Sequence, residues 1–141
     1  MSVPHDPDKI AVEAAAMPAR AKPSNYPEPF FSRMLKREKR PLGDAFGIQN
    51  FGVNLTTLHP GGETSLVTEQ GEVKLSPGMC AGFPARGIAH QLVNRTDSDG
   101  VYLEVGDRTP GDEGSYPVDD LAAALGADGK WQFTHKDGVK Y

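Results

Sequence analysis

The sequence has almost none of the cysteine that forms disulfides or thiolate metal sites in small proteins. It contains one cysteine, Cys80, among 141 residues, which excludes an intramolecular disulfide and a zinc site built from several thiolates. No apolar run approaches the roughly 18 residues that a membrane span needs. The N-terminus also lacks the basic start and apolar core of a signal peptide. These absences predict a soluble, cytoplasmic protein.

An excess of positive charge is also missing. Fifteen Lys and Arg residues stand against nineteen Asp and Glu residues, for a formal net charge of −4. A weakly acidic chain is a poor general binder of nucleic acid, because the phosphate backbone dominates that affinity. A local basic run covers residues 33–40, and we interpret it as a solvated segment rather than a phosphate site.

What the chain does have is an abundance of turn formers. It contains 16 Gly and 12 Pro residues, which disfavours long helices and favours short strands joined by turns. Its length predicts one domain. Prolines punctuate residues 1–29, which we expect to form an arm that is either loose or laid against a partner. Residues 30–141 are expected to form the domain itself.

Several segments have strand-like patterns. Phe51, Val53 and Leu55 alternate with more polar residues, as in a half-buried strand. A hairpin is predicted around Gly71, which can adopt a positive φ. Residues 117–125 suit a short helix, with Pro near its start and Gly after its end. Further strands are predicted at residues 79–83, 90–93, 101–105 and 131–135.

The most informative stretch runs from Gly78 to Asn94. It contains Gly, five residues, Pro84, then Gly87, two residues, His90, three residues and Asn94. This spacing resembles the second motif of the cupin superfamily, with one extra residue between Pro84 and Gly87. Further similarity to small single-domain cupins extends over roughly residues 25–141 and includes residues 51–55, 60–62, 102–106 and 133–138.

The resemblance implies a fold, a cofactor and an assembly. The fold would be all-β, a cupin-type double-stranded β-helix or jelly-roll barrel with an irregular N-terminal arm and a short C-terminal helix. Cupins usually bind a divalent metal through His-x-His and Glu of a first motif and His of the second. His90 matches that last ligand, for a metal such as Mn, Fe, Ni or Zn. The resemblance further implies a homodimer, with the arm packed on the partner.

The first cupin motif is absent. The four histidines are His5, His59, His90 and His135, and no two of them form His-x-His. Compared with relatives, about 20 residues, enough for two strands and their connections, are missing near Ser65–Val67. Either the natural chain contains a further segment there, or this is a deletion variant with an adapted fold.

Three residues are candidates for a ligand pocket: Phe83, Tyr102 and Glu104. Glu104 shares a strand face with Tyr102, so it either points into the pocket as a ligand or base or lies on a polar outer face. We expect a small-molecule-binding cupin that binds metal in its complete form, with isomerase- or oxygenase-type chemistry. The alternative is a metal-free binding module or an inactive deletion variant, so the sequence leaves open whether the protein is an enzyme.

Overall fold

The structure, a computed structural model, describes residues 11–62, 66–68 and 70–141, with only the backbone of residues 66 and 67. Within these described ranges, helical structure is limited to short turns at Ala14–Ala16, α1 (Phe30–Arg33) and α2 (Leu42–Ala45). The strands are β1 (Arg37–Pro41), β2 (Phe51–Leu58), β3 (Leu66–Thr68), β4 (Gly71–Val73), β5 (His90–Gln91), β6 (Gly100–Asp107), β7 (Glu113–Ser115), β8 (Ala122–Leu125) and β9 (Trp131–Thr134).

The described strands form three antiparallel sheets of three strands each, in the orders β1-β2-β6, β4-β3-β5 and β7-β8-β9. The mostly-β prediction is therefore confirmed, whereas closure into one barrel stays a prediction. No helix in the described part of the chain is long and apolar enough to cross a bilayer.

The β1-β2-β6 sheet has two chemically different faces. Pairing places Lys39 beside Thr56 and Thr56 beside Tyr102, so these side chains share one face. Thr56 is fully buried there. Side chains alternate along a strand, so Leu55 and its partner Leu103 occupy the opposite face, where Leu103 is 60% exposed.

The described part of the predicted arm packs on its own chain. The Arg20 amide donates to the Lys39 carbonyl at 2.8 Å. The Tyr26 and Tyr116 hydroxyls are hydrogen-bonded at 2.7 Å, and the Tyr26 ring packs edge-on against Phe133. Residues 1–10 lie outside the described part. A boundary after residue 29 and contact of the arm with a partner subunit stay predictions.

The predicted helix at residues 117–125 is wrong. Its second half is strand β8, which pairs with both β7 and β9. Leu121 and Ala123 are 1% and 5% exposed. The Asp120 carboxylate accepts a hydrogen bond from the Lys136 amide at 2.8 Å rather than capping a helix. Burial of small apolar residues between two strands overrides local helix propensity.

Other sequence predictions had mixed outcomes. The hairpin is confirmed as β3 and β4, with Gly71 at φ 133°. Strands at residues 51–58, 100–107 and 131–134 are confirmed, and the basic run contains β1 rather than a solvated loop. Residues 79–83 do not form a strand, and the strand predicted at residues 90–93 is limited to β5.

The two strands predicted to be missing would fall in a segment of which the structure describes few residues. Strand β2 ends at Leu58 and β3 begins at Leu66. Ser65, together with residues 63, 64 and 69, lies outside the described residues, as do the side chains of Leu66 and Val67. The predicted absence near Ser65–Val67 therefore stays a prediction.

The Asn94 side chain joins the end of β2 to the loop before β6. It is 8% exposed. Its amide nitrogen donates to the carbonyls of Leu58 at 2.9 Å and Ser98 at 2.7 Å. Its carbonyl oxygen accepts from the Thr96 amide at 3.0 Å and from the Thr96 hydroxyl at 2.7 Å. The last residue of the motif therefore satisfies the buried Leu58 carbonyl and three further groups in the loop that follows it.

Substituting Asn94→Ala should lower the free energy of unfolding by about 2–3 kcal/mol, because it removes four hydrogen bonds, one of them to the buried Leu58 carbonyl. Urea titration followed by circular dichroism measures the change. Asn25→Ala is the matched control, since Asn25 is exposed and accepts one bond from Arg20; about 0.5 kcal/mol or less is expected there. Equal losses for the two variants would contradict the role of Asn94.

Candidate functional site

The cupin-like motif folds as a loop with one tight turn. The Gly87 amide donates to the Pro84 carbonyl at 3.0 Å. Arg86, within this turn, has φ 59°. That is the left-handed region, which a non-glycine residue seldom occupies. The extra residue between Pro84 and Gly87 is therefore accommodated inside the turn, and the spacing that leads to His90 is kept.

The loop brings two predicted site residues, Phe83 and His90, into direct contact. Their rings are stacked in parallel with centroids 3.4 Å apart. The His90 Nδ1 atom lies 3.2 Å from the Ile88 carbonyl oxygen. A carbonyl can only accept, so Nδ1 carries the proton and a neutral ring keeps its lone pair on Nε2. Nε2 is thus the atom of His90 that could bind a metal.

The described residues do not surround His90 with further metal ligands. No group of three or more His, Cys, Asp or Glu side chains with metal-binding geometry occurs among them. His59 and His135 each contact a carboxylate instead, on Asp99 and Asp120, both at 2.8 Å. A single imidazole does not hold a divalent metal. The described residues therefore do not fit a metal centre, and we derive no reaction step through one.

The other two predicted site residues, Tyr102 and Glu104, lie on β6 in the β1-β2-β6 sheet. His90 belongs to the β4-β3-β5 sheet. Tyr102 and Glu104 share a face, as predicted. One carboxylate oxygen of Glu104 accepts from Lys39 Nζ at 2.5 Å, and the other accepts from Thr56 Oγ1 at 3.3 Å. We call these three residues the Lys39–Thr56–Glu104 cluster.

The cluster combines a buried cation with an accessible anion. The Lys39 side chain is 12% exposed and that of Glu104 is 37% exposed. Burial lowers the pKa of the Lys39 ammonium below its usual value, and the neighbouring Glu104 carboxylate offsets part of that effect. The Glu104 carboxylate is therefore the more accessible member of the pair. The Lys39 ammonium is in contact with little solvent.

Sequence reasoning missed Lys39 and Thr56. The interpretation of residues 33–40 as a solvated segment does not include the strand that begins at Arg37. The available signal was alternation within β1, because Arg37 and Lys39 lie on one face while Glu38 and Arg40 lie on the other. Only the pairing with β2 shows which of the two faces is covered.

Two surface clefts lie near the C-terminal sheet, with volumes of about 250 and 320 Å³. The first lies between β6 and β9, the second between the arm and β9, and Trp131 borders both. Phe83, His90, Tyr102 and Glu104 are not among their lining residues, so ligand binding through those four residues stays a prediction. The linings comprise Asp107, Arg108, Asp112, Leu125, Gly129 and Trp131 in the first cleft, and Lys22, Asn25, Gly129, Lys130 and Trp131 in the second.

The antiparallel sheets and the motif loop define a mostly-β protein with a cupin-like motif, and solved structures resemble it. A sugar phosphate isomerase of the cupin superfamily from Silicibacter pomeroyi is 36% identical, with a TM-score of 0.83. That similarity covers 93% of this chain and 96% of the other. The chain therefore belongs to the cupin superfamily.

A second structure supports the fold alone. It is a candidate sugar phosphate isomerase from Acidithiobacillus ferrooxidans, 24% identical, with a TM-score of 0.64. The similarity covers 74% of this chain and 80% of the other. No protein-family model and no curated protein matches the chain.

Burial of Lys39 should make stability depend on alkaline pH. Because the pKa of Lys39 is lowered from 10.5, the unfolded chain binds more protons than the folded chain between the folded pKa and 10.5. The contribution of Lys39 to stability is therefore smallest below that window and rises as pH increases through it.

Urea unfolding from pH 8 to 10.5 tests this dependence. Lys39→Met should remove the corresponding part of the slope, whereas Lys36→Met, which changes an exposed lysine, should retain it. The same slope in the wild type and in Lys39→Met would contradict the buried, paired state of Lys39.

Proposed function

We propose that this chain is a small-molecule-binding cupin whose reaction, where it turns over, is the isomerisation of a phosphorylated sugar. The observation that carries the proposal is the 36% identity to the Silicibacter pomeroyi sugar phosphate isomerase, which extends over nearly the whole of both chains. The Lys39–Thr56–Glu104 cluster supports it, because a carboxylate and an ammonium together suit proton transfer beside a carbonyl.

Sugar isomerisation moves a proton between two neighbouring carbons. A base removes the proton from the carbon next to the carbonyl, and the electron pair shifts to the carbonyl oxygen to form an enediol or enediolate. Return of a proton to the former carbonyl carbon, with transfer of a hydroxyl proton, completes the exchange. In our proposal the Glu104 carboxylate is that base, since it is the accessible member of the cluster.

The neighbours of Glu104 have supporting roles in this proposal. The Thr56 hydroxyl donates to one carboxylate oxygen and restricts the orientation of the group. The Lys39 ammonium favours the ionised carboxylate, which is the form that acts as a base. Tyr102 lies on the same strand face and would border the bound molecule.

A divalent metal remains part of the proposal for the complete form. His90 would supply one ligand through Nε2, and further ligands would come from outside the described residues. We also propose that the sheets close into a jelly-roll barrel in the complete form. A cytoplasmic location stays a prediction.

A second candidate is a metal-free binding module or an inactive variant. One observation favours it: no metal-binding group of three or more side chains occurs among the described residues. Such a protein would bind a sugar phosphate or a related small molecule without turnover. Oxygenase chemistry has no comparable support, since the similar structure from Silicibacter pomeroyi is a sugar phosphate isomerase.

Glu104→Gln should reduce turnover of aldose and ketose phosphates by about 10²- to 10⁴-fold, because it removes the base. Proton exchange at the carbon beside the carbonyl, followed by NMR in D₂O, measures it directly. Glu38→Gln is the control, since Glu38 pairs with Arg40 on the opposite strand face. Turnover unchanged in Glu104→Gln would overturn the assignment. Binding without proton exchange in the wild type would favour the second candidate.

Metal content separates the two candidates. Elemental analysis of the purified chain should find a stoichiometric divalent metal if the complete site forms, and His90→Ala should release it. His135→Ala is the control, because His135 contacts Asp120 and stacks on Tyr141 far along the sequence from the motif. A protein without metal, or one whose metal is retained in His90→Ala, would contradict the metal proposal.

A further inference from the structure

The two clefts beside Trp131 lie in a part of the molecule that the proposed reaction does not use. No residue of the Lys39–Thr56–Glu104 cluster lines either cleft. Trp131 and Gly129 line both, so the clefts adjoin at these two residues. Trp131 is 37% exposed, which leaves part of its aromatic surface open to a ligand.

The arm forms one wall of the second cleft and follows a fixed path there. Trp131 and Phe133 share a face of β9, because side chains alternate along a strand. The Tyr26 ring packs edge-on against Phe133, with centroids 5.4 Å apart. Just before it, the Ser24 hydroxyl accepts a hydrogen bond from the Tyr26 amide at 3.1 Å, and Ser24 is 3% exposed. These contacts hold the preceding arm residues beside Trp131.

The second cleft is lined by cationic and hydrogen-bond-donating groups. Lys22 and Lys130 contribute two ammonium groups, and neither forms an ion pair with another described residue. The Asn25 carbonyl oxygen accepts from the Arg20 guanidinium at 3.1 Å, which leaves the Asn25 amide nitrogen to donate to a ligand. None of the described residues that line this cleft is acidic. In a chain of net charge −4, such a concentration of donors and positive charge suits a phosphate group.

The first cleft has the opposite character, because its lining carries two carboxylates, Asp107 and Asp112. The one cation in its described lining, Arg108, pairs with Asp44 at 2.8 Å. Carboxylate oxygens accept hydrogen bonds from ribose hydroxyls and from amino groups. The two clefts therefore suit a ligand that bears hydrogen-bond donors at one end and a phosphate at the other.

We propose that the paired clefts bind a nucleoside monophosphate. The base stacks on Trp131, the phosphate contacts Lys22 and Lys130, and donors of the nucleoside face Asp107 and Asp112. A planar base matches the aromatic face of tryptophan. The clefts have volumes of about 250 and 320 Å³; each alone is small for a ligand site, whereas the pair lies within the usual range. A ligand of two parts is thus favoured over a phosphorylated sugar ring, which needs only one cleft.

Fluorescence titration of the full chain tests this site, because Trp131 is the only tryptophan in the sequence. AMP, GMP, CMP and UMP are added separately, with excitation at the red edge of the tryptophan band, where nucleotides do not absorb. At least one of them should quench the emission in a saturable way. The corresponding nucleoside and ribose 5-phosphate should each bind at least about fivefold more weakly, since each lacks one of the two contacts.

Variants of the two lysines locate the phosphate. Lys22→Gln combined with Lys130→Gln should weaken nucleotide binding at least about fivefold and leave nucleoside binding unchanged. Lys74→Gln is the matched control, because it removes one exposed positive charge next to β4, away from both clefts. Both cleft lysines are exposed, and circular dichroism verifies that the variants fold.

Three results would each overturn the proposal. The first is the absence of saturable quenching by all four nucleotides. The second is binding of ribose 5-phosphate or glucose 6-phosphate as tight as that of the best nucleotide, which would remove the role of the base. The third is an equal loss of affinity in Lys74→Gln and in the double variant, which would make the effect one of net charge alone.

Discussion

The hydrogen bonds of the Asn94 side chain are the constraint on which the motif region depends. One amide group satisfies carbonyls at the end of β2 and in the loop before β6, and accepts two bonds from Thr96. The backbone adds to this connection, since Asn94 exchanges bonds with Gly61 and Gly62. The position of the first residue of β6 relative to the last residue of β2 follows from this junction, and their pairing register follows from that position.

The β2–β6 register in turn determines which chemistry lies on each face of the sheet. Because side chains alternate, the register that aligns Thr56 with Tyr102 also places Glu104 within reach of Lys39. The opposite face receives Leu55, Leu103 and their apolar neighbours. A shift by one residue would exchange the two faces. The proposed acid–base cluster and the exposed apolar side chains on the opposite face are therefore two consequences of the same pairing.

The comparison between sequence and structure is instructive where local and tertiary preferences conflict. Alternation in β2 and β6 was strong enough to predict both strands, and Gly71 correctly indicated a hairpin. Residues 117–125 combined an N-terminal Pro with several Ala residues, yet their second half is strand β8. Ala has a high helix propensity, but the pairing of β8 with both β7 and β9 and the burial of Leu121 and Ala123 outweigh it. In β1, nearly every side chain is charged, so the sequence does not show which face is covered. The pairing of β1 with β2 shows it.

The amino-acid sequence by itself determined the mostly-β class, the hairpin at Gly71 and the cupin-like motif from Gly78 to Asn94, because these depend on local patterning and on characteristic spacing. The capping role of Asn94 was also accessible from its place at the end of a strand. Tertiary structure decided the rest. The stacking of Phe83 on His90 and the ion pair of Lys39 with Glu104 each depend on how the chain folds beyond its local pattern. No local pattern specifies those neighbours, since each strand's pattern states only that one of its faces differs from the other.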